Sequence, residues 1–280
     1  MKLENILVIG GTGKTGRKIV HLLKESGHNV RVGSRSAQPS FDWHQPGNWS
    51  KALSGMDKVY ITYQPDLAVP GALEAIEELV NQARKSSVKK LVLLSGKGER
   101  EAELCEQVVI HSGIDYTIVR ASWFNQNFNE NFLLDPVLDG VVALPQAEVK
   151  IPFVDTDDIA EVAVKAILDD KHNGQIYQLT GPELLTFKQA IATIANASNR
   201  AITFVPISIQ EYSQGMRDAN VPEDFIWLIE YLFTEVLGNP KNSEITNDIE
   251  QVLKRKPISF TEYAEKVAAT GVWNSLKETV

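Results

Sequence analysis

The chain has 280 residues, 43% hydrophobic and 23% charged, the make-up of a soluble globular protein long enough for one large domain or a domain with an appendage. A formal charge of -8 argues against a nucleic-acid backbone or an anionic membrane as main partner, since both select clustered Lys and Arg, and favours small molecules. With Cys105 the single cysteine, no intrachain disulfide is possible; the residue reads as a small half-buried hydrophobe in a protein of the reducing cytoplasm. No apolar run approaches the roughly 18 residues of a membrane span. Glu4 and Asn5 interrupt the opening segment where a signal peptide needs continuous apolar residues. The histidines fall in no HExxH or comparable pattern, so no metal is expected.

In chain order, short β-rich runs alternate with amphipathic segments, the mark of a parallel sheet covered by helices. Predicted strands are Ile6 to Ile9, Val30 to Val32, Val59 to Thr62, Lys90 to Leu94 and Tyr116 to Val119. Ile19, Val20, Leu22 and Leu23 recur at helical spacing between the first two, and Gly27 stands where a helix end tolerates positive φ. Further helices are predicted through Ala72, Ile76, Leu79 and Val80, and over Glu103 to Ile110. An Asn- and Phe-rich stretch from Trp123 to Phe132 precedes short strands at Val141 to Leu144 and Ile151 to Val154. A helix over Ile159 to Leu168 is introduced by Asp155, Thr156, Asp157 and Asp158, which read as capping and dipole compensation rather than a cation site. Ile176 to Leu179 is one more strand; beyond Gly181 the chain reads as mostly helical, including Pro222 to Leu237 and Ser259 to Ala269.

The first strand runs straight into Gly10-Gly11-Thr12-Gly13-Lys14-Thr15-Gly16, and a helix follows at once, the setting that gives a GxxGxxG pattern meaning. The chain must turn sharply, approach a pyrophosphate without a Cβ in the way, and aim helix N–H groups at the phosphates. The rival GxxxxGK[ST] phosphate loop needs glycine where Val8 stands. At the end of the second strand, Ser34-Arg35-Ser36 offers a planar cation and hydroxyls where an NAD site carries an acid, and Lys14 adds a second cation. NADP(H) is the expected cofactor, with a solvated surface arginine as the alternative reading of Arg35.

GGTGKTGRK, Asp42-Trp43, LVLLSG at 91–96, SGIDYTIVRASWFNQNF at 112–128 and PFVDTDDIA at 152–160 together resemble the NmrA-like atypical short-chain dehydrogenase/reductases. Within them they look most like the branch of the fungal ergot alkaloid reductases of the agroclavine dehydrogenase type. The resemblance implies that Asp42 and Trp43 line an adenine pocket and that Thr62, Tyr63 and Gln64 flank the ribose and nicotinamide. It sets Ser95 and Gly96 beside the nicotinamide, and gives Trp123, Phe124, Asn127 and Phe128 to the substrate pocket, although each could equally be packing.

The stretch from Gly96 to Gln107 contains no tyrosine, so the YxxxK pair of many short-chain dehydrogenases is missing. Without a positioned acid, ketone reduction forgoes a factor of roughly 10²–10⁴. Two readings follow: a reductase passing hydride to an imine or iminium, a quinone or an activated alkene, with Tyr63 or Ser95 as hydrogen-bond donor; or a non-catalytic NADP(H)-binding sensor of the NmrA type. The expected architecture is α/β, a doubly wound parallel sheet (Rossmann fold) from residues 1–120 and 151–180, with a smaller, mainly helical substrate lobe from 121–150 and 181–280. The cleft is expected between them, in a monomer or homodimer.

Overall fold

Runs such as Ile6-Leu7-Val8-Ile9 bury residues of both alternations, as a strand covered on both faces requires. The computed structural model describes residues 3–274. In chain order come β1 (Asn5–Ile9), α1 (Gly16–Glu25), β2 (Asn29–Gly33), α2 (Trp49–Leu53), β3 (Lys58–Ile61), α3 (Ala72–Lys85), β4 (Lys90–Gly96), α4 (Arg100–Ile110) and β5 (Asp115–Ala121). There follow α5 (Asn127–Glu130), α6 (Leu134–Asp139), β6 (Val141–Leu144), α7 (Thr156–Leu168), β7 (Gln175–Leu179) and α8 (Phe187–Ser198). The last are β8 (Thr203–Pro206), α9 (Ile209–Asp218), α10 (Glu223–Tyr231), α11 (Asp248–Leu253) and α12 (Phe260–Ala268).

Six strands form one parallel sheet in the order β2-β1-β3-β4-β5-β7. The winding reverses at β1, which lies between β2 and β3; in such sheets ligands sit at the carboxyl ends of the strands beside this switch point. α3 shows how a helix is recruited. Ala72, Ile76, Leu79, Val80 and Ala83 make one buried stripe, Glu74 opens the helix and Arg84 and Lys85 close it, each charge opposing the helix dipole. Burying each of Ile76 and Leu79 contributes about 1.5–3 kcal/mol.

Contacts divide the described residues into two units. The first holds 3–121, Asp157–Leu179 and Gln251–Lys254; the second holds Ser122–Thr156, Thr180–Glu250 and 255–274. Residues 151–156, expected to return to the sheet, belong to the second unit. Instead of a strand they make two isolated bridges, Val154 with Phe124 and Ile151 with Leu185. Within the second unit, Phe128, Phe153, Phe187, Phe233, Phe260, Tyr263 and Trp273 are buried together. β6 pairs in parallel with β8, a strand the sequence reading passed over in a region it took as helical. The segment expected as one helix to Leu237 is α10 followed by a π-helical turn over Leu232–Leu237. Capping boxes of the S/T-x-x-E/Q kind start α8 (Thr186, Gln189), α9 (Ser208, Glu211) and α12 (Ser259, Glu262). Among the described residues no helix is long and apolar enough to cross a membrane.

Candidate functional site

β1 ends at Ile9, and Gly10 then takes φ +69°, a region glycine enters without cost. The amides of Gly10 and Gly11 both donate to the Gly33 carbonyl, at 2.9 and 3.3 Å, and tie the loop to the end of β2. The glycines do different jobs. A Cβ on Gly10 would lie 2.3 Å from Thr62 Cγ2, and one on Gly16 would lie 2.1 Å from the Gly10 carbonyl oxygen. Both are demanded by the chain's own packing. A Cβ on Gly13 would meet the Gly10 oxygen at 3.3 Å and Gln64 Nε2 at 3.6 Å, so Gly13 leaves a shallow cradle beside the Gln64 amide. Past it, the amides of Thr12, Thr15 and Gly16 have no acceptor among the described residues. α1 carries no acid in its first turn to neutralise its positive end.

The Thr15 hydroxyl turns away from this loop: it meets the Tyr60 hydroxyl at 3.0 Å inside the sheet and pins the start of α1 to β3. Burial holds the Tyr60 phenol well above its ordinary value, so it stays neutral. Lys14 is half-buried in the loop.

After β2, the Ser34 carbonyl accepts from the amides of Ala37 and Phe41 and shapes the turn, and the Ser34 and Ser36 hydroxyls lie 3.4 Å apart. Arg35 is exposed, and its guanidinium has no partner among the described residues. Arg31, on the same strand, is consumed structurally: it donates to the carbonyls of Ala52 and Ser54 at 2.7 and 2.8 Å.

Asp42 and Trp43 anchor the next loop. Asp42 accepts from the His44 amide through Oδ1 and from the Trp49 indole through its carbonyl. The Trp43 indole donates to the Thr62 carbonyl at 3.2 Å, and its ring packs on Tyr63, Phe41 and Trp49 at 4.7, 5.1 and 5.3 Å. The Tyr63 phenol is raised, first by burial and then by Cys105 and Glu74 nearby; its hydroxyl has no partner among the described residues and can donate.

At the end of β4, the Ser95 hydroxyl donates to Glu106 Oε1 at 2.6 Å. Glu106 is fully buried and grips Arg120 through two guanidinium nitrogens. The proton of Ser95 is therefore committed inward, which corrects the expectation that this side chain could donate to a substrate. Beside it, a Cβ on Gly96 would fall 1.9 Å from Glu99 Oε1, so the Glu99 carboxyl lies directly over Gly96. Glu99 hydrogen-bonds Asp66, whose Oδ1 accepts from the Ala68 amide at 2.8 Å. Burial and then mutual repulsion hold Glu99 well above the usual carboxylate range, and burial raises Asp66 too. The sequence reading missed this pair. Glu99 lies within the Gly96–Gln107 stretch, where no tyrosine occurs.

In the second unit, Trp123 is half-buried with its ring against Phe132, Phe187 and Phe233, and Phe124 is held by its backbone bridge to Val154. Asn127 opens α5. Phe128 is fully buried against Phe153, Phe187 and Phe260, and its carbonyl accepts from the Trp273 indole at 2.9 Å. This corrects its assignment to a substrate surface: it is packing. Asn125 is also fully buried, with both side-chain polar atoms unpartnered, while Gln126 is spent on Asp155 and the Thr156 amide.

The chain matches the NAD(P)H-binding family over residues 10–170 and the NmrA-like family over 101–264. It belongs to the NmrA-like family, with an NAD(P)H-binding region. Festuclavine dehydrogenase of Aspergillus fumigatus is 29% identical, over 94% of this chain and 98% of that protein. The NAD(P)H azoreductase of Xenophilus azovorans is 28% identical, over 94% and 98%. Among solved structures, the NADPH-dependent quinone oxidoreductase of Escherichia coli complexed with NADPH superposes with a TM-score of 0.77 at 20% identity, over 94% of this chain and 99% of that one.

Proposed function

We propose that the protein is an NADPH-dependent reductase that passes hydride to a small organic acceptor: an imine or iminium, a quinone, an azo compound or an activated alkene. The observation that carries the NADP(H) preference is Arg35, an exposed guanidinium without a partner, standing at the end of β2 where no acid occurs. A planar cation with Ser34 and Ser36 beside it suits a 2′-phosphate and offers nothing to a 2′-hydroxyl that an acid would bind better.

The residues present fit the dinucleotide. The Gly13 cradle and the free amides of Thr12, Thr15 and Gly16 supply donors for a pyrophosphate, reinforced by the N-terminus of α1. When bound, the reduced nicotinamide supplies the hydride. Gln64 lies beside Gly13, and Asp42 and Trp43 hold the loop that follows β2 against the end of β3. The roles of this chain's residues are orientation and exclusion of water, which fits an acceptor already activated toward hydride. Tyr63, neutral and with its hydroxyl unengaged, is the hydrogen-bond donor of this reading. Trp123, Phe124 and Asn127 are its substrate-contact residues in the second unit.

The test is NADPH oxidation across a panel of cyclic imines, quinones, azo dyes and activated alkenes, with NADPH and NADH affinities measured by fluorescence titration. Turnover on one or more acceptors, with tighter binding of NADPH than NADH, is the expected outcome. No turnover on any, with affinity that separates NADP⁺ from NADPH, overturns the reductase reading in favour of a sensor.

A further inference from the structure

Two carboxyl groups meet at the carboxyl ends of adjacent strands. Asp66 lies on the loop after β3 and Glu99 on the loop after β4, and the two strands pair in register from Lys58 with Lys90 to Ile61 with Leu93. Glu99 is 7% exposed, and its carboxyl occupies the space over Gly96 that any other residue there would fill. The side chains hydrogen-bond each other. Ionised carboxylates only accept, so this bond requires a proton between them.

We propose that the Asp66–Glu99 pair is the proton source of the reductive reaction, in the role that the missing tyrosine and lysine fill in other short-chain dehydrogenases. This rests on the reductase reading above. The pair stands on the edge of the sheet that carries the Gly10–Gly16 loop, Tyr63 and Gly96, all in the first unit. Asp66 and, from α4, Glu101 and Glu106 act on Glu99 as like charges, and the same loop carries the buried Lys97. Asp66, Glu101 and Glu106 each oppose ionisation of Glu99. Among the described residues no group of three or more His, Cys, Asp or Glu is arranged to hold a metal ion there. A proton is what this arrangement stores.

The step balances. The dinucleotide, when bound, would supply the hydride with its electron pair for the new bond to the acceptor, whose π pair would move onto its terminal oxygen or nitrogen. The carboxyl O–H then breaks, its electrons stay on the carboxylate, and the proton forms the product's O–H or N–H. The pair, left doubly ionised and unstable for the reasons above, takes a proton back from water through Asp66, the more exposed of the two. A quinone or azo acceptor uses this proton; an iminium becomes neutral without it.

Glu99→Gln and Asp66→Asn, made singly, keep size and hydrogen bonding while each removes one carboxyl of the pair. Three readouts apply: the carbonyl stretch of a protonated carboxyl by infrared spectroscopy, NADPH affinity by fluorescence, and the pH profile of turnover with a quinone and a cyclic iminium. Wild type should show the protonated-carboxyl band near neutral pH and Glu99→Gln should lose it. Quinone turnover should fall about 10²-fold or more while iminium turnover and NADPH affinity hold. Absence of the band in the wild type, or equal quinone rates and pH profiles in wild type and both variants, overturns the proposal. A wild type without turnover on any acceptor sinks the reductase reading, and the proton-delivery role with it. A wild type that turns over while the variants match it refutes the pair alone.

Discussion

Glu106 and Arg120 face each other across the interior between α4 and β5, with Arg120 Nε 2.8 and 3.0 Å from the two carboxylate oxygens. Ser95 adds its hydroxyl to the same carboxylate from the end of β4, so one buried side chain ties together a helix and two strands beneath the site. Glu106 has no exposure, and the Arg120 side chain retains 19%. Removing one partner of such a pair strands a desolvated charge. Glu106→Gln should lower the unfolding free energy by about 3–5 kcal/mol. Urea denaturation checks this: the midpoint should fall with the slope unchanged. An unaltered midpoint would mean that the ion pair contributes nothing net.

The loop glycines predict two different failures. On Gly16 a Cβ would lie 2.1 Å from backbone of Gly10, and backbone cannot swing aside, so Gly16→Ala should lower the melting temperature. On Gly13 the nearest atom, the Gly10 carbonyl oxygen, stands at 3.3 Å, a tight contact rather than an overlap, so Gly13→Ala should lower the melting temperature far less than Gly16→Ala. Its methyl group would fill the cradle, and NADPH affinity should drop about tenfold or more, by the loss of a charge-assisted hydrogen bond worth about 1.5–3 kcal/mol. Equal melting temperatures and equal affinities for the two variants would refute this division of labour.

Arg35→Glu should weaken NADPH binding by about 10–100-fold or more, the range of one charge-assisted contact, while NADH affinity changes little. Fluorescence titration with both cofactors decides. An equal loss for both would assign Arg35 to general structure rather than to the 2′-phosphate.

Local features were legible in the sequence, and features assembled over distance were not. The β1–loop–α1 unit could be read because strand, turn and helix follow within a few residues, each with its own periodicity or glycine signal. The six-stranded sheet followed from the same rhythm repeated. Asp66 and Glu99 escaped because only the pairing of β3 with β4 brings them together, and each alone reads as a solvated loop acid. β8 escaped because Thr203-Phe204-Val205 is short and set among helical segments; its β-branched and aromatic composition, closed by Pro206, was the available signal. Phe128 was misassigned because an aromatic beside asparagines suits a cleft and a core equally well, and only its burial against Phe153 and Phe260 separates the two.

The raised carboxyls of Asp66 and Glu99 also make a thermodynamic prediction that is independent of turnover. An acid whose folded value lies above its unfolded one binds more protons in the folded state, so the unfolding free energy falls as pH rises. That contribution is fully present below the ordinary value of 4.5 for Glu99 and is lost progressively as pH climbs through the raised folded value. Wild type should thus lose stability relative to Glu99→Gln, whose amide does not titrate, as pH rises above 4.5. Urea unfolding of both proteins over a pH series measures the difference. Parallel curves would show that Glu99 carries no raised titration and that the carboxyl pair holds no shared proton.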